Sequence, residues 1–187
     1  MNIPSGGHDF SRAVAWAIFW ALAPEGSVSK PPRDNIPSPH QVYFLTINCA
    51  GGKFIFQSER MVMLLLDTLN GSRAQGKFQL HEFAVMPNHV HLLISPGREV
   101  TLERAVQFIK GGFSYRAGKE LGFRGEIWQR GYVDHRIRDG RHYTFHREYI
   151  RMNPVRAHLC EDARTFAYSS ANPAHLLDAI PQGLKPI

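Results

Sequence analysis

Met86-Pro87-Asn88-His89-Val90-His91-Leu92-Leu93-Ile94 is the stretch from which the fold can be read. Two histidines alternate with apolar residues in a run that otherwise reads as a buried strand. Successive side chains of a strand point to opposite faces. His89 and His91 therefore share one face, about 7 Å apart along the chain. Val90 and Leu92 point to the other, toward a core. The plain reading is a strand with two solvent-facing histidines. The chemical reading is that two imidazoles on a rigid strand converge on one metal ion.

A second constellation lies some sixty residues on, Tyr149-Ile150-Arg151-Met152-Asn153-Pro154-Val155-Arg156. Tyr149 and Asn153 are four apart, so on a helix they stack on one face. Pro154 is expected to end that helix and to bias Asn153 away from α geometry. Taken alone, this stretch is an amphipathic surface helix with an aromatic anchor.

Together the two stretches resemble a known family. Residues 86–91 look like the His-hydrophobic-His motif of the HUH single-strand endonucleases. Tyr149-Ile150 followed by Asn153-Pro154-Val155-Arg156 resembles the single-tyrosine motif of the IS200-like transposases, and within them the REP-associated tyrosine transposases. Trp128-Gln129-Arg130-Gly131-Tyr132-Val133-Asp134-His135-Arg136-Ile137-Arg138 and Phe166-Ala167-Tyr168-Ser169-Ser170 match the same pattern. The resemblance divides the chain into an N-terminal extension with a Pro-rich linker (1–40), the HUH-like domain (41–171) and a tail (172–187).

The bulk composition fits this division. A chain of 187 residues suits one domain with a real core. Its net charge of +6 calls for an anionic partner. Residues 101–160 hold twelve Lys and Arg against six acids, so they carry the whole net charge. Such a run is often only a solvated face, but this one flanks Tyr149. Two cysteines are too few for a disulfide framework or a cysteine zinc site, and they fit a reducing cytoplasm. The apolar run 13–23 is too short to span a bilayer and only weakly mimics a signal peptide. It reads as an appended helix, and the prolines that follow mark an irregular arm.

Residues 41–48, aromatic and β-branched, read as a strand, and Phe54-Ile55-Phe56 as a possible extension of the sheet. Ser58 is a candidate N-cap for a helix through Asn70, with Met61, Leu64, Leu65 and Leu69 on one face and Gly71 as its stop. Strands follow at 78–85 and 89–95. Thr101 caps a helix carrying Leu102, Ala105, Val106, Ile109 and Phe113, which Gly111-Gly112 is expected to bend or weaken. Residues 118–126 read as a loop, 132–138 as a strand and 142–153 as the tyrosine helix. The order β-α-β-β-α-β plus a helix predicts an α+β fold: a ferredoxin-like split βαβ, an antiparallel sheet backed by helices, with the tyrosine on a C-terminal helix.

The resemblance implies a chemistry. Tyr149 is the nucleophile, forming a 5′-phosphotyrosine link to single-stranded DNA of hairpin or palindromic form and leaving a free 3′-hydroxyl. A tyrosine hydroxyl titrates near pH 10 and is weak at neutrality. Mg²⁺ or Mn²⁺ on His89 and His91 would polarise the phosphate. Asn153 is the expected third ligand, its amide oxygen suiting a hard ion; helix C-cap is its alternative reading. Lys110, Arg130, Arg138, Arg147 and Arg151 are the expected phosphate contacts. His135 is either a support to the metal or structural. His142 and His146 read as solvent-exposed, and Trp128 as a core anchor or a base-stacking ring. No nucleotide cofactor is implied, and the relatives include monomers and homodimers.

Two rivals stand beside this. A histidine-triad nucleotide hydrolase needs a third alternating histidine, and position 93 is Leu. A non-catalytic nucleic-acid-binding module on the same topology is the alternative function, because fold alone does not decide activity.

Overall fold

The computed structural model describes residues 41–184. The readings of 1–40 lie outside the described residues. Four strands, β1 (Tyr43–Asn48), β2 (Phe78–Met86), β3 (His89–Pro96) and β4 (Val133–Arg136), form one antiparallel sheet in the order β2-β3-β1-β4. Three helices accompany it: α1 (Glu59–Ala74), α2 (Leu102–Leu121) and α3 (Gly140–Arg156). β3 is inserted between β1 and β2, the two strands that α1 connects. This is the split βαβ arrangement expected from the sequence.

Both sheet faces are covered, and the period of two decides what each receives. Leu45 and Ile47 of β1 and Val90, Leu92 and Ile94 of β3 enter a core with α1 and α2. Phe44 and Leu93 point the other way, into a second core that Tyr143 and Ile150 of α3 close. The histidine face is thus not open to solvent. Leu80 and Phe83, three apart, both reach the first core because the β2–β3 register shifts between Leu80 and Glu82. One extra residue, His81, restores the alternation.

Three helix boundaries differ from expectation. α1 runs through Gly71 to Ala74; the left-handed turn falls instead at Gly76, with φ of +68°. A glycine inside a helix costs only about 1 kcal/mol, and Arg73 beyond it is held by Asp178 at 2.6 Å. Ser58 occupies the N-cap position without a side-chain cap bond.

α2 does not bend at Gly111-Gly112 and continues to Leu121. A Cβ at Gly112 would stand 3.4 Å from Thr68 Cγ2, so this glycine serves the close approach of α1 and α2. Thr101 caps the helix as expected, accepting from the Arg104 N–H.

α3 contains Pro154 rather than ending before it. A proline removes one hydrogen bond to the carbonyl four residues back. Here that loss falls in the final turns, where the Pro154 ring is buried and Ala157 N–H still donates to Asn153 O at 3.0 Å. His158, with φ of 55°, turns the chain out of the helix.

Residues 55–57 form a 3-10 turn rather than an extension of the sheet, and β4 is shorter than 132–138. The tail covers the outer edge of β2. Val85 N–H donates to Tyr168 O, Ser170 N–H to Phe83 O, and Asp178 N–H to Leu80 O, each at 2.9 Å. An unpaired strand edge invites aggregation, and this segment closes it. Leu184 packs into the second core, so the tail beyond 171 docks on the domain.

Candidate active site

β3 presents His89 and His91 to the face covered by α3. Each ring is oriented by a neighbour on its Nδ1 edge. His89 Nδ1 lies 2.7 Å from Asn88 Oδ1, and His91 Nδ1 lies 2.9 Å from Thr46 Oγ1, directly across the β1–β3 ladder. An amide oxygen only accepts, so His89 carries its proton on Nδ1. The two Nε2 atoms then face one another at 3.1 Å. At that distance two ring nitrogens either share one proton or bind one cation. Burial holds the His89 pKa down to about 4. It pushes His91 well below the usual range as well, with His89 and His146 adding in the same direction. Both rings are therefore neutral at pH 7, the state a metal ligand requires.

Tyr149 reaches this pair from α3. Its ring meets His91 edge-on at 5.2 Å between centroids and Phe44 at 5.8 Å. The Arg156 guanidinium lies 5.7 Å from the ring centroid. Burial raises the Tyr149 pKa; a hydrogen bond from Asn153 and the charge of Arg156 act against that rise. Asn153 sits within α3, with Ala157 as the C-cap, so the helix-cap reading of Asn153 does not hold. Its side chain engages the Tyr149 oxygen instead.

The donor set fits a divalent ion only in part from charged or imidazole groups. Among the described residues no group of three or more His, Cys, Asp or Glu could hold a metal. Two neutral imidazoles, with Asn153 as an amide donor beside Tyr149, make a sparse set that leaves positions for phosphate oxygens.

The five expected DNA contacts divide. Arg130 and Arg138 are exposed. Lys110 is half-buried, and its Nζ donates to Gln129 O at 2.8 Å and Gly131 O at 2.7 Å, tying α2 to the loop before β4. Arg147 and Arg151 direct their Nε atoms to the two oxygens of Glu82, at 3.0 and 3.1 Å. Glu82 is 3% exposed and also receives the Ser170 hydroxyl. Arg147 and Arg151 lie one turn apart on the side of α3 away from Tyr149. Glu82, on the sheet beneath α3, therefore holds the flank of the helix opposite Tyr149.

Other residues fall differently from expectation. His146 is 8% exposed, packed on Phe44 at 4.7 Å and His142 at 4.4 Å, and is not a solvent-facing histidine. His142 is half-buried. The exposed His135 ring stacks on Phe44 at 6.1 Å. Trp128 is a core anchor, packed on Phe56 and Phe113, with its Nε1–H donating to Lys110 O. Tyr143, on the same helix, is wholly buried in the second core, against which Tyr149 packs. Thr46, Phe44 and Glu82 were missed. Glu82 alone had a signal, an acid inside an apolar strand that burial without a partner would make costly.

A split βαβ sheet carrying a His-hydrophobic-His strand beneath a tyrosine helix defines a class, the single-tyrosine proteins of HUH type. The chain belongs to the IS200-like transposase family, whose model matches residues 46–153. It is 28% identical over 140 residues to a Haemophilus influenzae protein that carries the name REP-associated tyrosine transposase, covering 64% of this chain and 80% of that one. A second, uncharacterised H. influenzae protein is 26% identical over 144 residues, covering 60% and 79%. The fold matches a solved REP-associated tyrosine transposase, described as bound to a REP hairpin. That match has a TM-score of 0.65 and 20% identity, and it covers 86% of this chain and 99% of the other. No helix among the described residues is long and apolar enough to cross a membrane.

Proposed function

We propose that this chain cleaves and rejoins single-stranded DNA through Tyr149, as a strand transferase working on hairpin or palindromic DNA in the cytoplasm. The observation that carries the reading is the Tyr149 ring held 5.2 Å from that of His91, on a helix clamped over the His89–His91 strand. The Tyr149 oxygen forms a bond to phosphorus, the bond from phosphorus to the 3′ oxygen breaks, and that oxygen leaves as a hydroxyl with the proton. A 5′-phosphotyrosine keeps the bond energy for a second 3′-hydroxyl to reverse the step. His89, His91 and Asn153 would hold Mg²⁺ or Mn²⁺, which would supply polarisation of the phosphate oxygens. Asn153 and Arg156 oppose the rise that burial imposes on the Tyr149 pKa. Both motifs belong to one protomer, so the reading holds for a monomer or a homodimer.

The test is incubation of the protein with end-labelled hairpin DNA carrying single-stranded flanks, against a blunt duplex of the same sequence at matched salt. The expected result is tighter binding of the hairpin, a covalent adduct on denaturing gels with Mg²⁺ or Mn²⁺, and affinity falling with salt at a log–log slope of roughly −0.7 per phosphate contacted. Salt-dependent binding with no adduct under any metal would make the chain a non-catalytic binding module. Equal affinity for the blunt duplex would remove the single-strand reading.

A further inference from the structure

Three loops are laced together at the end of the sheet where His89 begins β3. Cys49 N–H donates to Asn88 O at 2.8 Å, Phe56 N–H to Pro87 O at 2.9 Å, Ala50 N–H to Ile127 O at 2.9 Å and Gln129 N–H to Asn48 O at 2.9 Å. Asn48 is itself the ladder partner of His89. The turn after β1 and the loop before β4 therefore form a rim beside the histidine pair.

On that rim Phe54 stands 60% exposed. Phe56, two residues on, is 5% exposed and packs on Phe113 and Trp128, so the core takes its aromatic from Phe56 and leaves Phe54 outside. Gly51 and Gly52 take φ of +60° and +65°, a backbone that side-chain-bearing residues rarely adopt. These two glycines turn the chain so that Lys53 and Phe54 face outward. Lys53 and Arg130, the latter on the adjoining loop, are exposed, and their charged ends have no partner among the described residues. Tyr115 is also exposed, at 68%, but it lies on α2, whose buried side packs on the sheet face away from the histidines.

We propose that Phe54 is a stacking platform for one unpaired nucleobase of the DNA strand beside the cleavage site, with Lys53 and Arg130 holding the phosphates on either side. The proposal rests on the single-strand cleavage reading above. Every base has a π-face, so such a platform grips without choosing sequence, and cations beside it follow the backbone.

The test uses the full chain and a labelled hairpin with single-stranded flanks, in which each unpaired position in turn is made abasic. In the unaltered protein one abasic position should weaken binding by about 5- to 100-fold. Phe54→Ala should weaken binding of intact DNA by a similar factor and show no further loss at that position. Phe54→Trp should restore affinity, and Tyr115→Ala should change nothing. Phe54→Ala should still form the Tyr149 adduct at saturating DNA, which reports an intact fold. Adduct formation together with undiminished binding by Phe54→Ala, or abasic losses identical in the two proteins, overturns the platform alone. A protein that forms no adduct on any strand overturns both it and the cleavage reading.

Discussion

His89 Nε2 and His91 Nε2 lie 3.1 Å apart, with an oxygen on the Nδ1 edge of each ring. Two neutral imidazoles so arranged share one proton, and a divalent cation can take that proton's place between the two Nε2 atoms. Binding of Mn²⁺ measured by calorimetry should therefore be lost in His89→Ala and in His91→Ala, and chelator should abolish adduct formation in the unaltered protein. The half-buried His89 should cost little stability, whereas removal of His91, 3% exposed against Phe44 and Thr46, should cost about 1–3 kcal/mol. Adduct formation by His91→Ala in chelator would sink the metal assignment.

Tyr149 is the tyrosine that faces the histidine pair. Tyr149→Phe keeps the ring on His91 and Phe44, so DNA binding should be retained while the adduct disappears. Tyr143 is the useful contrast. Its hydroxyl is buried without a partner among the described residues, so Tyr143→Phe removes an unsatisfied group and should be neutral or stabilising by up to about 1 kcal/mol. Mass spectrometry of a digested adduct should place the nucleotide on the Tyr149 peptide. An adduct mapped to another tyrosine would contradict the mechanism and leave the fold untouched.

The strand pattern of 89–94 was legible because alternation is a local signal: Val90, Leu92 and Ile94 did enter one core. What covered the other face was not legible, since nothing local to β3 says that α3 packs over it. Breaker residues misled for a related reason. Gly71, Gly111-Gly112 and Pro154 carry costs of about 1–3 kcal/mol, which burial of an adjoining helix face exceeds. Thr46 and Glu82 depend on cross-strand register and on the rotation of α3. Neither is written in the spacing of their own segments. The same holds for Lys110, whose charge suggested phosphate and whose donors go to two carbonyls of the loop before β4.

Glu82 is expected to position Tyr149 without touching DNA. In Glu82→Gln two arginines lose a buried counter-charge. Because they are 27% and 29% exposed, the cost should be about 1–3 kcal/mol, less than for a fully buried pair. With that flank of the helix released, single-turnover adduct formation should slow by about tenfold while hairpin affinity is unchanged. A fall in affinity with an unchanged rate would assign Arg147 and Arg151 to DNA binding alone.

His146 should make stability depend on pH. Burial lowers its pKa from 6.5 to about 4; the His142 carbonyl, accepting from Nδ1–H at 2.9 Å, offsets part of that effect. Between these values the unfolded chain binds a proton that the native ring refuses. The contribution is therefore complete above pH 6.5 and is lost as pH falls toward 4, at about 1.36 kcal/mol per unit. From pH 7 to pH 5 this one ring should remove about 2 kcal/mol. His81, His89, His91 and His142 are shifted in the same direction, so the whole domain should melt at lower temperature in mild acid. His146→Phe keeps an aromatic against Phe44 but gives up the bond to the His142 carbonyl, which lowers stability at every pH. The informative quantity is thus the slope. Thermal unfolding in chelator at pH 7, 6 and 5 should show a shallower decline for His146→Phe by about 2 kcal/mol over the range. Parallel declines for the two proteins would mean that His146 takes up its proton in the folded state as readily as in the unfolded one.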